Sequence, residues 1–341
     1  MLSERRRAIL AALVNEYVST SQPVGSRALV ERHALGCSPA TVRAELAALE
    51  DSGYVHQPHV SAGRVPTDSG YRAFVDDMRE RMEALGLRPA EVERIHGAYE
   101  ALEHEMDGVI RETSVLLSRL TNYVAVVAAP ALRRARMRRV SVVPIAERRA
   151  LVVVVTDSGQ VANRTLDVAP GLPESVLGEV ERYLTAVLED KVGEQVLGVR
   201  DNASQAPSDM FARLTLQVLD AVVECLEEAD EDRVITGGMA ALLSQPEFAD
   251  PDVARPVLAV LEDGITMLRI LSDVMHTPDV AVRIGHENPV SALGCMSFVA
   301  SAYGEHDRTG VVGVIGPTRM DYPRAIATVR TVADTLTEVL G

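Results

Sequence analysis

Tryptophan is absent from the 341-residue sequence and aromatic residues make up only 4% of it, so broad stacking on exposed nucleobases is not a binding mode this chain can build. Its three cysteines, Cys37, Cys225 and Cys295, are isolated and show no paired spacing, which argues against a disulfide framework or a thiolate metal cluster. No uninterrupted apolar run is long enough to span a bilayer and no signal-peptide pattern opens the sequence. The expected location is therefore the cytoplasm, with no membrane partner. Basic residues are scarce as well: 34 Lys and Arg stand against 49 Asp and Glu, a formal net charge of -15. That balance excludes the whole surface as a polyanion binder.

Catalytic and cofactor signatures are missing too. No GxGxxG opens a helix after a strand, no P-loop is present, and His276, His286, Glu287, His306 and Asp307 do not follow a metal-ligand spacing. No serine sits in a nucleophile elbow. The reading is a non-enzyme with no catalytic residue, no cofactor and no metal.

The exception to the acidic balance lies at the amino end, where residues 1–72 hold eight Arg against seven Asp and Glu, a balance of +1, while the remainder carries -16. Within this segment the stretch SPATVRAELAALEDSGYV, residues 38–55, reads as a helix with a defined start. Ser38 is a good N-cap and Pro39 suits the first helical position. Val42, Leu46 and Leu49 recur at helical spacing and face a core, Gly53 ends the helix, and Ala40, Thr41 and Arg43 occupy the rest of its surface. Small residues near its amino end allow close approach to a DNA major groove. Before it, residues 4–19 place Ile9, Leu10, Leu13, Val14 and Tyr17 on one helical stripe, and residues 27–33 form a second helix capped by Ser26. After it, residues 54–56 and 64–66 read as two short strands joined around Ser61, Ala62 and Gly63. Three helices followed by a small hairpin constitute a winged helix-turn-helix. The residues set against DNA are Ser26 and Arg27, then Ser38, Thr41 and Arg43 on the reading helix, then His59, Ser61 and Arg64 on the wing, with Arg64 at its tip.

Helical periodicity resumes over residues 67–81, and residues 91–120 read as a long helical connector. From Tyr123 the sequence turns to Val-rich strands, with Asp157-Ser158-Gly159 as a hairpin turn. Arg133, Arg134, Arg136, Arg138 and Arg139 interrupt the strands, either as a second phosphate patch or as a packing surface neutralised by acidic helices. Residues 175–189 and 210–228 are amphipathic helices; the second shows Leu214, Val218 and Val222 on one face, whose partner is the sheet or a second subunit. Strands return at VITGG, VAVRIG, MSFVASAY and GVVGVIG, with a helix over 253–271 and a closing helix over 322–340. An antiparallel sheet split by a helical module is an α+β domain.

Three stretches carry a resemblance: PVGSRALVERHALGCSPATVRAELAALEDSGYVHQPHVSAGRVPTDSGYR at the amino end, VVVTDSGQV in the middle, and VRIGHENP with IGPTRMDYPRAI near the carboxyl end. By these the chain resembles the HrcA family of heat-inducible transcription repressors over nearly its whole length. The resemblance implies an α+β multidomain protein: a winged-helix DNA-binding domain (1–82), a helical connector (83–120), and a GAF-like domain (121–170 and 233–341) interrupted by an inserted helical dimerising domain (171–232). It implies a homodimer paired through the insert, for which the face of Leu214, Val218 and Val222 read above is the expected contact. It further implies that the dimer binds double-stranded operator DNA, the inverted-repeat CIRCE element, with Pro39, Ala40 and Gly63 also set against the DNA, and represses chaperonin and chaperone operons until heat stress. It also implies the GroEL chaperonin as a modulator, and association with the nucleoid when DNA is bound. The alternative is a winged-helix regulator answering to a small-molecule effector in the GAF-like domain, where Arg283, Glu287, Asn288 and Arg319 supply polar groups.

Overall fold

A computed structural model describes residues 2–59, 62–80, 87–100, 106–131, 135–157, 159–203, 210–231, 233–274, 277, 279–304 and 309–340. Helix α1 (Glu4–Thr20) starts at Ser3, whose hydroxyl accepts from the Arg6 amide, and buries Ile9, Leu10, Leu13 and Val14. Helix α2 (Ser26–Arg32) is seven residues long and buries Leu29. Its N-cap is Gly25, with no side-chain bond, so Ser26 is the first helical residue and not the expected cap. Helix α3 (Pro39–Asp51) buries Val42, Leu46 and Leu49. Strands β1 (Val55–His56) and β2 (Val65–Pro66) pair antiparallel, and α4 (Asp68–Arg79), capped by Thr67, follows.

The stretch expected as one long connector contains two packed helices, α5 (Pro89–Glu100) and α6 (Met106–Thr121). Tyr99 and Thr113 hydroxyls meet at 2.8 Å between them. Burial pushes the Tyr99 phenol up to about 12, against the lowering effect of that bond. Ile95, Tyr99, Val109, Ile110 and Leu117 lie in the same core as the amino-terminal helices, because their charged neighbours leave one apolar stripe that needs covering.

Strand β3 (Val124–Ala128) comes next, followed by β4 (Met137–Ala146), β5 (Arg149–Thr156) and β6 (Val161–Asp167), then helices α7 (Glu174–Leu188), α8 (Gly193–Ala203) and α9 (Met210–Glu231). The chain continues with β7 (Val234–Gly237), α10 (Met239–Leu243), α11 (Pro251–Glu262), α12 (Gly264–Ser272), β8 (Ala281–Ile284), β9 (Met296–Tyr303), β10 (Gly310–Pro317) and α13 (Tyr322–Leu340). The single helix expected over 253–271 is divided at Asp263, whose backbone turns extended (ψ 96°).

Two larger sheets result. One is five-stranded and antiparallel, in the order β7-β3-β10-β9-β8. Its strands are covered on both sides, which is why they read as unbroken apolar runs. Ala125, Val127, Val299, Val312 and Val314 face α13 and α6. Val124, Val126, Phe298, Val311 and Ile315 face α11 and α12.

The other sheet, β4-β5-β6, is three-stranded and belongs to a different core. Val140, Val142, Val152 and Val154 pack with Leu177, Val180 and Leu184 of α7 and with α9. This corrects the expected start of the insert: among the described residues of 121–170 only β3 joins the five-stranded sheet, and the strands between 137 and 167 share a core with the helices that follow residue 171. It also corrects the expected pairing face. Leu214 is 4% exposed and Val218 and Val222 are fully buried, because the sheet within the same chain already covers them. The acidic neutralisation expected for the arginine cluster is present in part. Arg139 pairs with Glu181 at 3.2 Å and Arg138 with Asp190 at 3.4 Å, whereas Arg133 and Arg134 lie outside the described residues.

Candidate nucleic-acid interface

The Ser38 hydroxyl accepts from the Thr41 amide at 3.1 Å and lies 3.0 Å from the Thr41 hydroxyl. The cap satisfies an amide that the first turn would otherwise leave bare. With Val42, Leu46 and Leu49 turned inward, the exposed surface of α3 is Pro39, Ala40, Arg43, Ala44 and Ala47, with Asp51 at its carboxyl end and Thr41 half-buried. The helix therefore shows a strip of small side chains with a single long cation.

Ion pairs decide which arginines of this segment are available. Arg5 and Arg6 both reach Glu45, at 3.8 and 2.8 Å. Arg7 pairs with Asp77 at 3.4 Å and Arg27 with Glu31 at 3.8 Å. Arg32 is held by the buried carboxylate of Glu16, and Arg72 by Glu287. Among the described residues Arg43 has no ion-pair or hydrogen-bond partner. Arg27 is nearly as available, since an exposed pair four residues apart on a helix is worth only about 0.3 to 0.5 kcal/mol.

The wing is fixed from below. Arg64 Nη2 lies 2.7 Å from Glu50 Oε2, and the Arg64 side chain is 19% exposed. Glu50 also accepts from the Gln57 amide at 2.9 Å, and Gln57 Nε2 donates to the Ala62 carbonyl at 2.8 Å. Val24 and Arg64 exchange two backbone hydrogen bonds of 2.9 Å, stitching the wing to the start of α2. Gly63 is needed there, because a Cβ at that position would lie 2.4 Å from the Val24 carbonyl. Arg64 thus sits at the base of the wing and not at the expected tip. His59, exposed, is nearer the tip, and Ser61 lies outside the described residues. Ser26 is half-buried and Arg27 exposed, both in the first turn of α2.

Sequence reasoning missed Glu16, Glu45 and Glu50. Each is an acid on an amphipathic helix, and nothing local says that its partner lies up to 39 residues away. It also left open the carboxyl-terminal polar groups, whose partners are all within the chain. Arg283 donates to Asp273 at 2.8 Å, and Arg319 to Gln245 at 3.1 Å and to Glu247. The Asn288 amide donates to three carbonyls, those of Gly285, Leu293 and Met296. Burial works against the Glu287 carboxylate, yet the Arg72 hydrogen bond and the Ile284 amide outweigh it and hold its pKa below the usual carboxylate range. Of the histidines and acids considered for catalysis, His276, His306 and Asp307 lie outside the described residues. No group of three His, Cys, Asp or Glu among the described residues could hold a metal ion, and no helix among them is long and apolar enough to cross a membrane.

Comparison with known proteins bears on the whole chain. The family model described as HrcA protein C terminal domain matches residues 107–326. A heat-inducible transcription repressor HrcA of Beutenbergia cavernae is 44% identical, with all of both chains covered. The protein of the same name from Streptomyces avermitilis is 40% identical over all of this chain and 99% of its own. Among solved structures, a crystal structure of a hypothetical protein at 2.2 Å resolution covers all of this chain and 99% of its own, with TM-score 0.66 and 23% identity. That likeness supports the mixed α and β architecture.

Proposed function

The chain belongs to the HrcA family of heat-inducible transcription repressors, and from that premise we propose that it is a sequence-specific DNA-binding repressor of heat-shock operons, those of the chaperonin and chaperones. Residues 1–82 act as a winged helix in which α3 enters the major groove and the β1–β2 hairpin rides on the backbone beside it. The observation that carries this reading is Arg43, an exposed arginine without a partner among the described residues, on a helix face otherwise built of Pro39, Ala40, Ala44 and Ala47. Ser38, Thr41, Ser26, Arg27 and His59 supply polar contacts around it. Arg64 keeps the wing in place from its base.

One such module binds weakly, because most of its arginines are neutralised within the chain and phosphate contacts are the main source of affinity. The functional unit in this reading is a homodimer on the inverted-repeat CIRCE operator, since a two-fold protein matches a two-fold site. With Leu214, Val218 and Val222 buried, the pairing surface moves to the outward face of the three-stranded sheet. Val143 and Val161 are 45% and 59% exposed, Ile145 beside them 52%, and the half-buried Leu151, Val153 and Val155 share the face with the polar Ser141, Asn163 and Thr165. Exposed valines set among uncharged polar groups support burial against a second copy. The five-stranded sheet with helices on both sides serves as the GAF-like body. Relief by heat and support of the active state by GroEL complete the reading, on the strength of the family likeness, in a protein that works in the cytoplasm at the nucleoid.

Selection of binding sites from random-sequence duplexes with the pure protein tests the proposal. It predicts recovery of an inverted repeat with one fixed half-site separation. Recovery of unrelated sequences, or of single unpaired half-sites, refutes it.

A further inference from the structure

Helix α4 is fastened to the body of the molecule at both of its ends. In its first turn, Asp68 Oδ2 accepts from the His286 amide at 3.0 Å and lies 2.6 Å from His286 Nδ1. One turn on, Arg72 Nε donates to Glu287 Oε1 at 2.8 Å and Arg72 Nη2 to the Val282 carbonyl at 2.7 Å. Two turns further, Arg79 donates to the Val280 carbonyl. β8 is an outer strand of the five-stranded sheet, and among the described residues one row of its carbonyls has no strand beside it. Val282 belongs to that row and Val280, one residue before the strand, continues its alternation, so the two guanidinium groups stand in for a missing neighbour.

The receiving loop is shaped for this contact. Gly285 has φ +52°, and a Cβ there would lie 2.0 Å from Asp68 Oδ2. Glu287 also accepts from the Ile284 amide at 2.9 Å, so its carboxylate is aimed before Arg72 arrives. The Tyr71 and Tyr322 rings, 5.8 Å apart, add an apolar contact between the same two parts. Arg72 and Arg79 are seven residues apart, about 10 Å along the helix. Attachment at two separated points resists rotation, where a single point would act as a pivot. Because α1 packs on both α3 and α4, the attitude of α4 sets that of α3.

We propose that Asp68, Arg72 and Glu287 are positioning residues for DNA recognition: by locking α4 on the β8 edge and the Gly285–Glu287 loop, they set the separation and angle of the two α3 helices in a dimer. The proposal rests on the dimeric DNA-binding reading above. None of the three touches DNA. Their effect is confined to engagement of the second half-site, because a second contact adds affinity only when the geometry lets both be made at once.

The test uses full-length Asp68→Asn, Glu287→Gln and the charge-exchanged pair Arg72→Glu with Glu287→Arg. Far-ultraviolet circular dichroism and sedimentation first identify the variants that are folded and dimeric. The DNA probes are a duplex with one selected half-site, the selected inverted repeat, and the same repeat lengthened by half a helical turn, about 5 base pairs. Wild type is expected to prefer the selected repeat over the lengthened one by at least about tenfold. Asp68→Asn and Glu287→Gln should bind the single half-site within twofold of wild type and lose most of the spacing preference, and the exchanged pair should regain part of it. Three results overturn the proposal: wild-type spacing preference in both single variants, an equal loss on the single half-site, or loss of fold or dimer in both single variants. A wild type with no spacing preference overturns the dimeric reading itself, and this proposal with it.

Discussion

Carboxylates determine what each arginine of the amino-terminal segment can do. Glu16, Glu45 and Glu50 hold Arg32, Arg6 and Arg64, which fixes three helices and a hairpin and takes those cations away from any external anion. Among the described residues Arg43 is left over, and in the proposed reading its guanidinium is the group suited to reading guanine in two bonds. Glu91 does the same service elsewhere, with greater consequence for pH. It is 5% exposed and lies 3.2 Å from Arg88 and 3.1 Å from Arg324 of α13. Hydrogen bonds from the Arg88 side chain and backbone hold its pKa down to about 2, against an ordinary 4.5. A carboxyl lowered on folding contributes stability that is whole above its ordinary pKa and fades as the pH falls toward the folded value. The stability difference between wild type and Glu91→Gln, from urea melts, should therefore be constant above about pH 5.5, shrink below about 4.5 and vanish near 2. A difference that grows on acidification contradicts this.

Elements were legible in the sequence where a local signal sets them. Ser38 followed by Pro39 marks the start of α3, and the Ser38 bond to Thr41 is found there. Ser38→Ala should cost about 1 kcal/mol of stability by thermal or urea melting, with a loss under 0.3 kcal/mol indicating that the cap adds little. Tyr322–Leu340 likewise forms the closing helix that its spacing predicts. Partners were not legible. The stripe of Leu214, Val218 and Val222 announces that α9 buries a face, but the same stripe suits a second subunit and an in-chain sheet equally well, and only the path of residues 137–167 decides between them. Arg64 was misplaced for the same reason. Its distance along the hairpin says nothing of Glu50, fourteen residues earlier on another element. Gly25 took the capping place expected of Ser26, since the turn there is set by the Val24–Arg64 bridge.

At the scale of the whole molecule, an acidic protein binds an acidic polymer only if a few contacts are repeated and well placed. The formal charge of -15 per chain opposes approach, so in the proposed dimer specificity comes from two small surfaces held at a fixed distance. On that reading the pairing face is as important as α3. Val143→Lys with Val161→Lys, both on the outward sheet face, should leave the circular dichroism spectrum intact and yield monomers on sedimentation, with operator affinity falling at least about tenfold. Leu214→Asp, by contrast, should unfold the three-stranded unit, because an aspartate there is buried without a partner. A folded dimer in the first variant refutes the assignment of the face.

The most direct measurement concerns Arg43 at base resolution. Wild type and Arg43→Ala are titrated against the selected inverted repeat and against a set carrying each single base-pair change in turn. If α3 reads the groove through Arg43, removal of its guanidinium costs about 1 to 3 kcal/mol on the intact site, and the variant becomes indifferent to changes at one position in each half-site. An equal loss on every duplex, random DNA included, would make Arg43 a phosphate contact, and no loss at all would mean that α3 is not the element that reads DNA.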